Sequence, residues 1–342
     1  MIRVSSVGVI INPWAGKDVR RLHAPVGHTP DSAKVGIVRR VVIAALEAGA
    51  SRVVLARDTG RIAERAANAI DDAWLLDGPA TGSALDTRRG ATQLAEMGCS
   101  PIVVLGGDGT CRDVAIGAPD AALVAISTGT NNVYPVFVDG TSAGTAAGLV
   151  ACRAIPIEAV SRRSKRLVIE IAVPGRARVR DVALVDVALV DAGSTGARAV
   201  LHPDAVRIVV ATIATPASTG LSSIAGRLHP LGRHEDGAVV VRLGGHTRCV
   251  RVPIVPGALD TVAVATVEVM HDGDSTTFDG AGVLAYDGER DRIVPPDATI
   301  TVTVSRTGPF VIDVGRTLQC AARRHLFDVD PSVPILEAPH GD

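Results

Sequence analysis

The sequence predicts an α/β protein: an N-terminal doubly wound domain on a parallel sheet, then a C-terminal, mostly antiparallel β-sandwich domain. Three observations predict it. From the start to about residue 153, strand-like apolar runs alternate with segments whose apolar residues recur at helical spacing. After Ile155-Pro156 the pattern turns to period-two alternation broken by polar turns. At 342 residues the chain also exceeds the size at which one core keeps growing. The expected division is 1–153 for the α/β domain, 156–306 for the sandwich, and 307–342 for a tail packing back on the first domain.

In the first half, short apolar runs bounded by turn residues suit buried parallel strands, expected at Val7–Ile11, Arg52–Arg57, Pro101–Leu105 and Ala122–Ile126. Helices are expected over Lys34–Ala48, Arg61–Ala69, Thr87–Met97 and Thr141–Arg153, with Asp86 and Gly140 at N-cap positions. In the second half, Arg166–Val173, Asp181–Val190, Ala205–Ala214, Gly237–Leu243, Arg248–Val255, Thr261–Met270, Gly282–Tyr286 and Thr299–Ser305 read as strands with no long helix between them. Asp287-Gly288 is expected to turn a hairpin into Arg292–Val294. Thr317–His325 regains helical character.

Composition excludes several classes. Hydrophobic residues make up 47%, and no segment approaches about 18 uninterrupted apolar residues, so no membrane span is expected. Met1-Ile2-Arg3-Val4 enters a strand pattern directly, which reads as no secretory leader and a cytoplasmic protein. The five cysteines are scattered with no CxxC pair, and the histidines form no HExxH, so neither a disulfide framework nor a zinc site is expected. A net charge of -1 and 2% aromatic residues leave no basic field or stacking platform for nucleic acid. Exposed sheet edges make homo-oligomerisation an expectation.

The loops that follow parallel strands gather along one edge of the sheet. Here they carry glycines and polar groups: Asn12-Pro13-Trp14-Ala15-Gly16, Gly106-Gly107-Asp108-Gly109-Thr110 and Ser127-Thr128-Gly129-Thr130-Asn131-Asn132. Glycines let backbone N–H groups approach an anion with no Cβ between, and a helix start adds its positive dipole. Asn12, Gly16, Gly106, Gly107, Gly109, Thr110, Thr128, Gly129, Thr130, Asn131 and Asn132 are therefore the candidates for phosphate and nucleotide binding. Asp108 differs from them, because a carboxylate beside a polyphosphate must hold magnesium or face the acceptor hydroxyl. Neither GxxxxGK[ST] nor GxGxxG is present.

Gly106–Thr110 resembles the GGDGT motif of the NAD kinases and of the diacylglycerol and sphingosine kinase group. Ile10–Gly16 is similar to their opening strand and loop, and Ser127–Asn132 to their second nucleotide loop. Within that superfamily the chain most resembles the AcoX branch, the ATP-NAD kinase-like proteins of acetoin catabolism clusters. That likeness lies in Gly16–Leu22, Ile37–Arg40, Ser127–Asn132, Gly196–Ala199, Gly220–Gly226 and Tyr286–Arg290, and so spans nearly the whole chain.

The resemblance implies a cleft between the two domains, where magnesium-ATP, or polyphosphate in some members, gives up a phosphoryl group to a hydroxyl. NAD, yielding NADP, is the leading acceptor. The alternatives are a lipid, sphingoid or other small alcohol, or a nucleotide-binding regulatory protein without turnover, linked to acetoin catabolism. It implies that Asp108 activates the hydroxyl or holds magnesium, that Glu289 of Asp287-Gly288-Glu289 is a second base, and that Asp186, Ser218, Thr219 and Ser222 lie on the acceptor side. Two departures stand out. NAD kinases carry an adjacent Asn-Glu where this chain has Val185-Asp186, and Asn132 stands where lipid kinases commonly have Asp. Asp108→Asn is expected to leave the fold intact and remove turnover.

Overall fold

The computed structural model describes residues 5–17, 29–129, 131–191 and 203–329. The expected apolar runs form β1 (Ser6–Ile11), β2 (Arg52–Leu55), β4 (Ile102–Gly106) and β5 (Ala122–Ser127), with β3 (Ala73–Leu75) as an unexpected edge. Between them lie α1 (Asp31–Glu47), α2 (Ile62–Ala67), α3 (Ala84–Glu96), α4 (Asp108–Gly117) and α5 (Gly140–Ala151). Two helix starts differ from expectation. Asp139, not Gly140, caps α5, accepting from the Thr141 N–H at 2.8 Å. Asp86 sits inside α3 rather than at its cap, and reaches back to the N–H groups of Thr81 and Gly82.

The chain next forms α6 (Ile157–Val160), β6 (Ser161–Arg163), β7 (Arg166–Ala172), β8 (Val179–Ala183), β9 (Asp186–Val190), β10 (Val206–Ala211), α7 (Leu221–Leu228), β11 (Ala238–Val252) and β12 (Asp260–Met270). It ends with β13 (Ser275–Asp279), β14 (Gly282–Tyr286), β15 (Glu289–Val294), β16 (Thr299–Ser305), β17 (Phe310–Ile312) and α8 (Val314–Arg323). The first sheet has the order β3-β2-β1-β4-β5-β17-β6, parallel throughout except for β6. Its strand order reverses between β1 and β4, so the loops leaving those two strands diverge and open a crevice. After Pro309 the chain returns to this sheet, where Phe310 pairs with Ala122 and α8 follows.

The second half is two antiparallel sheets, β12-β11-β10-β9-β14-β15 and β13-β16-β7-β8. Their facing apolar residues, such as Leu167, Ile169, Val187, Ile208, Leu284 and Ile300, form one buried core. The segment expected as a single strand, Asp181–Val190, is two: the chain leaves one sheet at Ala183 and enters the other at Asp186. Conversely Gly237–Leu243 and Arg248–Val255 belong to one strand, β11, whose register shifts between Leu243 and Arg248. The eight-residue α7 covers the outer face of the larger sheet with Leu221, Ile224 and Ala225. None of the described helices is long and apolar enough to cross a membrane.

Close approach of α1 and α5 sets the first domain's inner layer. A Cβ on Gly140 would lie 2.5 Å from the Ile37 carbonyl oxygen, and Gly144 and Gly148 face the Val41 and Ala45 carbonyls as closely. Helix propensity alone would favour alanine at Gly144 by about 1 kcal/mol. Overpacking against a backbone carbonyl outweighs that gain. Gly144→Ala is therefore expected to destabilise the chain by about 1–3 kcal/mol, read as a lower midpoint in urea unfolding with an unchanged slope.

Candidate active site

At the crevice between β1 and β4 the loops are stitched to one another. The Asn12 side-chain amide donates to Thr110 Oγ1 at 2.9 Å, and the Asn12 carboxamide oxygen accepts the Trp14 N–H at 2.9 Å, turning the first loop. Gly16 has φ +72°, and a Cβ there would lie 2.6 Å from the Thr128 carbonyl oxygen, so the first and third loops can meet only through glycine. Likewise a Cβ on Gly107 would lie 2.8 Å from Asn132 Oδ1. The Asn132 amide donates to Ser127 Oγ at 2.8 Å. Gly106 ends β4 in full burial, whereas nothing lies within 4 Å of where a Cβ on Gly109 would point. The first turn of α4 thus presents open backbone to the crevice.

One hydroxyl in this ring lacks a partner. Thr128 is 5% exposed and, among the described residues, its Oγ1 makes no hydrogen bond. An orphaned buried hydroxyl costs about 1–3 kcal/mol, which an incoming acceptor oxygen would recover. Beneath the first loop lies a group that periodicity alone did not single out. Lys34, on α1, is fully buried; its Nζ donates to the Pro13 carbonyl at 2.6 Å and lies 3.6 Å from Asp31 Oδ1. Burial, followed by repulsion from Lys17, pushes its pKa down to about 8.

Asp108 begins α4 but points inward, at 7% exposure. Its Oδ1 accepts the N–H groups of Val133 and Tyr134 at 3.0 and 2.8 Å, and its Oδ2 takes only the Val133 N–H, at 3.1 Å. Burial pushes its pKa up to about 7, opposed by the Tyr134 N–H. The carboxylate therefore fixes the segment following the third loop. This changes the expectation for Asp108→Asn, since an amide would turn an NH2 group toward backbone donors and cost stability.

The acceptor-side candidates separate. Thr219 reaches the third loop, donating to Asn131 Oδ1 at 2.7 Å, and Ser218 Oγ lies 3.0 Å from Ser222 Oγ beside the start of α7. Asp186 is 3% exposed and accepts the Gly288 N–H at 3.2 Å, while Val185 beside it is fully buried. Glu289 stands exposed at the head of β15, with no side-chain hydrogen bond or ion pair among the described residues. Thr130 and the stretches Asp18–Leu22 and Gly196–Ala199 lie outside the described residues.

The hairpin before Glu289 does more than turn. Asp287 and Gly288 have φ +50° and +81°, as a two-residue hairpin turn needs. The Asp287 carboxylate is buried and accepts the N–H groups of Leu184 and Val185 at 3.0 and 2.7 Å, where the chain changes sheets. Burial pushes its pKa up to about 6 against the pull of Arg112, whose guanidinium lies 5.2 Å from the Tyr286 ring centre. An aspartate in a turn gives no sign in the sequence that it will be swallowed by a sheet crossing.

Magnesium binds through one or two carboxylates together with phosphate oxygens. Both oxygens of Asp108 already face backbone N–H groups, and among the described residues no three His, Cys, Asp or Glu side chains gather as a metal site. The described residues supply no carboxylate cluster that would hold a resident ion without the nucleotide's own phosphate oxygens.

Residues 7–155 match the ATP-NAD kinase N-terminal domain, and residues 167–307 match the acetoin catabolism protein X C-terminal domain. Over 337 residues the chain is 35% identical to acetoin catabolism protein X of Cupriavidus necator, an alignment covering 94% of this chain and 93% of that one. The chain belongs to the acetoin catabolism protein X family. Its fold is that of an NAD kinase: the crystal structure of yeast NADH kinase complexed with NADH matches at a TM-score of 0.53 and 14% identity, over 97% of this chain and 90% of that one. In this family member, the α/β half carries the kinase-type loops and the sandwich half carries the family's own domain.

Asp108 and Asp287 have raised pKa values in the folded chain, so both hold protons there that the unfolded chain has released above about pH 4. Their stabilising contribution is full below that pH and is lost as pH rises through about 6 and about 7. Asp108→Asn removes one titrating group. The stability difference between wild type and this variant, measured by chemical unfolding, is expected to be largest at about pH 4 and below and to shrink steadily toward pH 8.

Proposed function

We propose that this protein is a phosphotransferase that moves the γ-phosphoryl group of magnesium-ATP to an alcohol, with NAD as the first acceptor to test. The observation that carries the reading is the buried Thr128 hydroxyl, without a hydrogen-bond partner among the described residues, set among bare glycine backbone at the strand-order reversal. Such a ring of N–H and O–H donors binds polyphosphate oxygens and stabilises their charge during in-line transfer. Magnesium enters with the nucleotide as part of the substrate. The buried Lys34 ammonium adds positive charge below the first loop.

Asp108 takes the acceptor's proton in this reading. Its Oδ2 carries one backbone contact and keeps lone pairs for an alcohol, and a pKa near 7 suits proton transfer at neutral pH. A second reading, an alcohol smaller than NAD, is favoured by the buried Val185 and by Asp186, whose carboxylate already accepts Gly288 N–H. These two positions offer no free amide to pair with a base or ribose edge.

Incubation with γ-labelled ATP and magnesium, and separately with polyphosphate, against NAD, NADH and a panel of small alcohols tests both readings. Labelled NADP supports the first and a labelled small product the second. Turnover is expected to rise with pH through about 7 and to fall about 10²–10⁴-fold in Asp108→Asn. Tight nucleotide binding with no labelled product from any acceptor would refute both and favour a regulatory role.

A further inference from the structure

A small, strongly cationic cavity of about 20 Å³ lies behind the segment that follows the third loop, where the link between β6 and β7 meets the 229–236 loop. Arg162, Arg163, Lys165, Arg233 and His234 line it, with no acidic residue among its walls. The whole chain carries a net charge of only -1, so this concentration of cations is local. Buried or crowded cations are costly unless paired.

Two cations at this place are answered. Arg163 pairs with Asp120 at 2.6 Å, and Arg306 behind it pairs with Asp236. Three are not: among the described residues Arg162, Lys165 and Arg233 form no ion pair. Lys165 is 2% exposed, and its Nζ finds only a carbonyl, Gly232 O, at 3.0 Å. Arg233 donates to the carbonyls of Val133 and Tyr134 at 2.9 and 3.1 Å. Among the described residues the exposed Arg162 side chain makes no hydrogen bond. The acids nearby are engaged: Glu235 accepts the Gly232 N–H, Asp236 holds Arg306, and Asp313 caps α8.

Two hydroxyls in the walls are spoken for, Tyr134 Oη donating to Ser164 Oγ at 3.0 Å and Ser164 Oγ to the Pro309 carbonyl at 2.9 Å, which leaves the cations as the donors. The local field agrees with this picture. Burial and then Arg306 push the Lys165 pKa down to about 8, and burial with Arg162 and Arg233 lowers that of His234.

We propose that this cavity is a second anion site, which binds a phosphate dianion, free or as a phosphate monoester. Guanidinium forks and an ammonium together match a tetrahedral oxyanion. Arg233 also grips the backbone of Val133 and Tyr134, whose N–H groups hold Asp108, so occupancy of the cavity stiffens that segment.

Thermal unfolding of the full chain tests this, with inorganic phosphate or glycerol 3-phosphate added against chloride at matched ionic strength. Phosphate is expected to raise Tm in the wild type and equally in Thr110→Val, which alters only the donor loops. Arg162→Ala, a change at an exposed side chain, is expected to weaken the phosphate Kd about tenfold or more, and Lys165→Met to do the same. A larger shift with glycerol 3-phosphate identifies a monoester ligand, and a larger shift with phosphate identifies the free ion. The proposal is overturned if Tm does not rise, if acetate raises it equally, or if the rise survives Arg162→Ala and disappears in Thr110→Val.

Discussion

The inward turn of Asp108 onto the N–H groups of Val133 and Tyr134 is the constraint on which the candidate site depends. It ties the head of α4 to the segment that follows the third loop, so the second and third loops keep one spacing. Asn12 then binds Thr110 from the first loop, and Gly16 closes against the Thr128 carbonyl. With Asp108 occupied in this way, anion binding in the proposed reaction falls to backbone and hydroxyls. A second carboxylate repeats the device between the halves, for Asp287 holds Leu184 and Val185 where the chain crosses from one sheet to the other.

Much of this was legible in the sequence where one physical cause dominated. Strands buried on both faces must be apolar throughout, so β1, β4 and β5 announced themselves, and the loops after them could be read as one edge. One glycine position was readable for a similar reason: at Gly16 no other residue fits the contact.

Other features were hidden because their cause lies in tertiary contacts. Ala73–Leu75 is too short for a periodic signal. Gly244-Gly245 looked like a break, yet β11 continues past it because β12 pairs along both parts. The Asp181–Val190 run kept its alternation while passing from one sheet to the other, so nothing in its pattern marked the crossing. Asp108 and Glu289 were read alike as bases, but burial separates them: one is packed inside on backbone donors, the other stands in the open. Lys34 has no local motif, and the basic run Arg162-Arg163-Ser164-Lys165-Arg166 gives no sign in the sequence that it will meet Arg233 and His234.

The central claim is that the glycine-bearing edge receives nucleotide phosphates. Amide NMR of the chain labelled with ¹⁵N-glycine tests it most directly, on addition of a non-hydrolysable ATP analogue with magnesium. The account predicts that the Gly16, Gly107, Gly109 and Gly129 resonances shift together and saturate with one affinity. Shifts confined to glycines of the sandwich sheets, with these four unmoved at saturation, would contradict it.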